Sequence, residues 1–131
     1  MHFDILYMGQ DNNLWELLKK FAQDYEFTVL NIKQTKDVEL IKDEFSFTIV
    51  LTELHLDYNY EGYIIDKLGL KYSYLAILTN EITEKSIEVS ECLFHGQQKF
   101  LLLKTPEMIK FFLKSSQIQI HANSSQIPIE A

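Results

Sequence analysis

The sequence predicts an α/β domain in which a parallel sheet is wound on both faces by helices. Strand-sized apolar runs recur five times, at Phe3 to Met8, Phe27 to Ile32, Phe47 to Leu51, Tyr74 to Leu78 and Phe100 to Leu103. Each is followed by a segment with helical spacing or helical end signals. The 131 residues suffice for one full core and are too few for two domains of ordinary size.

The first strand ends against Gly9, a turn signal. Asp11 to Asn13 can cap a helix whose Leu14, Leu17, Leu18, Phe21 and Tyr25 fall along one face. After the second strand, Thr35 offers an N-cap for a short helix presenting Val38, Ile41 and Phe45. Phe47 to Leu51 is almost continuously apolar, as a central strand covered on both faces must be, and a polar stretch from Thr52 to Asn59 follows. Tyr60 to Leu68 reads as a third helix closed by Gly69. Thr83 to Phe94 has a capping residue but only a weak apolar stripe, which suits a loosely packed helix or one kept for a partner. Thr105, Pro106 and Glu107 give the last helix an N-cap, a proline at its first position and an acid in its first turn, before Ile109, Phe112, Leu113 and Ser116. Strand and helix alternating five times give (βα)5 with right-handed crossovers, and the flavodoxin-like strand order 2-1-3-4-5 is the expected arrangement. The domain is expected to span residues 1–116. Residues 117–131 form a polar tail with isolated isoleucines at Ile118, Ile120, Ile127 and Ile129, a linker or the start of an effector domain.

Composition narrows the function. A formal charge of −7 disfavours direct contact with nucleic acid or anionic lipid, both of which need a surplus of Lys and Arg on one face. No apolar run approaches a membrane span, and the single Cys92 cannot form an internal disulfide, so a cytoplasmic protein is expected. His2, His55, His95 and His121 are scattered without ligand spacing, and neither a metal nor another cofactor is expected. Glycine-rich phosphate loops, GxSxG elbows and HExxH are missing.

Ligands of such folds sit at the carboxyl ends of the strands. Those ends carry Met8-Gly9, Thr52-Glu53, Thr79-Asn80 and Lys104-Thr105-Pro106. From Phe3 to Ser116 the chain resembles the receiver domains of two-component response regulators in element order and length. The resemblance implies an acid pair after strand one, an acceptor Asp after strand three, Thr or Ser after strand four, and Lys followed by Pro after strand five. Thr79 matches the hydroxyl position and Lys104 resembles the lysine, while Glu53 stands where the acceptor would be. Met8 and Gly9 occupy the acid-pair positions, so the hard oxygen ligands for Mg²⁺ are absent there. Asp11 and Asp57 are the acids that a rearranged pocket would use. Thr105 separates Lys104 from Pro106, so anchoring on the proline instead would turn Lys104 to the opposite face. The aromatic that receivers commonly carry three positions before the lysine is Leu101 here.

Plainer readings stand beside these: Glu53 and Lys104 as an ordinary ion pair at the sheet edge, and Thr79 as a turn cap. The expected function is that of a pseudo-receiver in an orphan response regulator. It would be non-enzymatic, with no catalytic residue, acting through a protein partner or homodimer at Thr83 to Phe94 and the face of the fifth strand and last helix, and its role would extend to control of a DNA-binding effector. The alternatives are a receiver phosphorylated in a rearranged acidic pocket, and an unrelated flavodoxin-like ligand-binding domain.

Overall fold

In β1 (His2–Met8) Ile5, Leu6, Tyr7 and Met8 are all buried, so both faces of the strand are covered. The computed structural model describes residues 1–34, 37–53, 69–93 and 98–115. After β1 come α1 (Asn12–Tyr25), β2 (Val29–Ile32), the single-turn α2 (Val38–Ile41), β3 (Ser46–Glu53), β4 (Lys71–Thr79), α3 (Glu84–Leu93) and β5 (Gln98–Leu103). A last helix, α4, covers residues 106–115.

The five strands form one parallel sheet in the expected flavodoxin-like order β2-β1-β3-β4-β5. Beneath α1 and α4 lies one core of Ile5, Tyr7, Leu14, Leu18, Phe21, Ile49, Leu51, Leu78, Ile109 and Leu113. A second core gathers Leu6, Met8, Ile32, Val38, Val50, Leu75 and Ile77. Leu6 and Met8 alternate with Ile5 and Tyr7 between the two, as the two-residue period of a strand demands.

Local signals fix the helix ends. Asp11 caps α1, its side chain accepting from the backbone N–H of Asn13 and Leu14, and the helix closes at Glu26 with φ 61°. The short second helix begins at Asp37, whose side chain makes no cap bond, and Thr35, the expected cap, lies outside the described residues. In α3, Thr83 Oγ1 accepts from Ser86 N at 3.1 Å and Ser86 Oγ accepts from Thr83 N at 2.8 Å, a reciprocal cap. Gly69 has φ +73°, the backbone conformation expected of it, and the predicted helix Tyr60 to Leu68 that it would close lies outside the described residues. The 117–131 tail also lies outside them. Strands β4 and β5 begin earlier than their most apolar residues, because Lys71 to Ser73 and Gln98 to Lys99 still join the ladder through their backbones.

Candidate functional site at the ends of the strands

Parallel strands that end together bring residues distant in sequence to one edge. Tyr7 pairs with Leu51, Glu53 with Leu78, and Thr79 with Leu103. Glu53 lies two residues beyond Leu51, and Lys104 two beyond Leu102, so both repeat the facing of the residues packed under α1. Tyr7 faces the same side.

These side chains meet with Asp11. Lys104 Nζ lies 2.9 Å from Glu53 Oε1 and 3.0 Å from Asp11 Oδ2. Tyr7 Oη donates to the same Glu53 oxygen at 2.8 Å and accepts from the backbone N–H of Asp11 at 3.1 Å. Asp11 Oδ1 accepts from Asn13 N at 3.0 Å and Leu14 N at 3.1 Å, so one oxygen caps α1 while the other holds the lysine. One ammonium thus sits between two carboxylates at the junction of β1, β3, β5 and α1.

The electrostatics follow from this geometry. The hydrogen bond from Lys104 pushes the Asp11 carboxyl below its ordinary range, helped by the cap bonds. Burial works against the Lys104 charge, but the bonds to Glu53 and Asp11 outweigh it and hold the ammonium's pKa above normal. Burial, then the bond to Glu53, pushes the Tyr7 phenol far above its ordinary value, so it stays a neutral donor.

Met8 and Gly9 differ from each other. Met8 is buried in the core opposite Glu53. Gly9 has no room for a side chain: a Cβ there would lie 2.5 Å from Tyr7 Oη and 2.6 Å from its Cζ. The Tyr7 ring thus occupies the space beside this position.

Thr79 stays outside the cluster. Its hydroxyl donates to the Glu81 carbonyl at 3.0 Å, closing its own turn as the plainer reading expects. The register after β5 is that of the lysine: Lys104 enters the site, while Thr105 Oγ1 accepts from Met108 N at 3.2 Å as the N-cap of α4. Leu101 packs in the core opposite Tyr7, and Phe100 packs on Phe112 with ring centroids 5.2 Å apart. Of the two displaced acids, Asp11 joins the cluster and Asp57 lies outside the described residues. Among the described residues no three His, Cys, Asp or Glu side chains gather in a way that could hold a metal ion.

Tyr7 is the member that sequence reasoning missed, because in an apolar strand it reads as core. The signal was a hydroxyl on the second-last residue of β1, long enough to reach the sheet edge from beneath.

Several solved structures share this architecture. The Vibrio cholerae chemotaxis protein CheY4 matches with a TM-score of 0.65 and 12% identity, over 88% of this chain and 98% of that one. The fold is CheY-like. A putative pilus assembly-related protein from Burkholderia pseudomallei also matches, with a TM-score of 0.58 and 14% identity over 89% of this chain and 90% of that one. No family model and no curated protein matches the sequence. In this CheY-like frame the cluster sits at the carboxyl edge of the sheet, where such folds place their ligands. Among the described residues no helix is long and apolar enough to cross a membrane.

Proposed function

We propose that the chain is a receiver-like regulatory domain that signals through protein contacts without phosphorylation. The observation that carries this reading is the closed set of Lys104, Glu53, Asp11 and Tyr7. A phosphoryl group added at Glu53 would have to displace the lysine and the phenol that already share Oε1. It would also need a cation to offset its charge, whereas Met8 is buried and Gly9 has no side chain to offer. The lysine therefore plays its part with an internal partner. The domain carries no phosphotransfer activity of its own and works from the cytoplasm as part of an orphan regulator, whose effector portion would contact DNA.

The partner surface is the face of α3, β5 and α4. Phe111 is 69% exposed and Phe100 42%, with Ile87 and Met108 also partly open. Apolar side chains on that face suit a protein partner or a second copy.

The test is a titration of the native chain and Glu53→Asp with Mg²⁺ and beryllofluoride, followed by Trp15 fluorescence. The reading predicts no saturable change in the native chain. A saturable response there would overturn it and return phosphorylation to the mechanism.

A further inference from the structure

Beside the Lys104 cluster a groove of about 490 Å³ runs between α1 and the start of α4, within the size range of small-molecule sites. Its floor is apolar, made by Leu14, Leu17, Pro106 and Ile109. Asp11 and Lys104 close one end, and Lys20 lies at the other, nine residues further along α1 and therefore about 14 Å away along the helix axis. The groove is thus elongated, apolar in the middle and charged at both ends.

Its charges are unequally satisfied. Glu16 is paired with Lys19 at 2.8 Å, and Asp11 is held by Lys104 and two backbone N–H groups. Among the described residues Lys20 has no ion-pair partner, whereas the Lys104 ammonium already sits between the carboxylates of Asp11 and Glu53. The charge left unmatched along the groove, among the described residues, is therefore the Lys20 ammonium, although the whole chain carries −7.

We propose that this groove binds a small elongated amphipathic monoanion, with a carboxylate at Lys20 and its apolar body on Leu14, Leu17 and Ile109. A monoanion meets the unpaired ammonium, and the body removes apolar floor from water.

The experiment uses octanoate, with octylamine and 1-octanol as controls for charge, titrated into the full chain while backbone amide NMR shifts are followed. Octanoate should move the amides of Leu14, Leu17 and Ile109 saturably and bind several-fold more tightly than either control. Lys20→Gln, an exposed change that leaves the core intact, should weaken octanoate several-fold and leave 1-octanol unchanged. Leu17→Glu should abolish the response. Equal binding of the three compounds, an unchanged affinity in Lys20→Gln, or no saturable shift would overturn the proposal. Because phosphorylation does not enter this titration, its outcome is independent of the beryllofluoride result.

Discussion

At Tyr7 a phenol buried in β1 reaches the end of the sheet, donates to Glu53 and accepts from the Asp11 backbone. Tyr7→Phe keeps the ring but leaves that N–H without its acceptor and removes one of the donors to Glu53 Oε1, Lys104 remaining. It should cost about 1 kcal/mol in urea unfolding. A cost near zero would show that water replaces the phenol. Asp11 supplies the pH dependence. Its folded-state pKa is depressed, so its stabilisation is present above the ordinary carboxylate range and lost as pH falls through the folded value. Asp11→Asn retains a good N-cap while removing the charge that pairs with Lys104. The variant should therefore lose less stability than the native chain between pH 7 and pH 3, as read from urea midpoints.

Among the elements, the turn from β1 to α1 is the most constrained by the site. Gly9 is required there because the Tyr7 ring fills the space of its side chain. Gly9→Ala should cost about 1–3 kcal/mol by overpacking. The same change made in a Tyr7→Leu background should cost clearly less, which a thermal-melt double-mutant cycle would show. The strands and α1 were legible in the sequence because apolar periodicity and capping chemistry are local. Asp11 was visible as a cap for the same reason. Its second role, and that of Tyr7, depended on where β3 and β5 end, which is a tertiary fact. The Lys104 register stayed open in the sequence for a similar reason: Lys104 and Thr105 each suit one candidate, and the structure separates them by giving the cap to Thr105.

For the whole molecule, parallel topology gathers residues 7, 11, 53 and 104 at one edge, and α3, β5 and α4 carry the exposed apolar side chains Ile87, Phe100, Met108 and Phe111. If that face serves a second copy, Phe111→Glu should shift sedimentation toward monomer without lowering the melting temperature. A native chain that remains monomeric at high concentration would argue for a different partner. The parallel, doubly wound sheet followed from alternation, with the flavodoxin-like order chosen among such folds, whereas the chemistry at the strand ends was only partly legible, because resemblance supplies positions and not the contacts made there.

The central claim is that the strand-end site is occupied from within and needs neither cation nor phosphoryl group. The most direct measurement is calorimetric titration of the native chain with Mg²⁺, alone and with beryllofluoride, at neutral pH. The account predicts no saturable heat in either case. A defined one-site isotherm, strengthened by beryllofluoride and lost in Glu53→Gln, would contradict it.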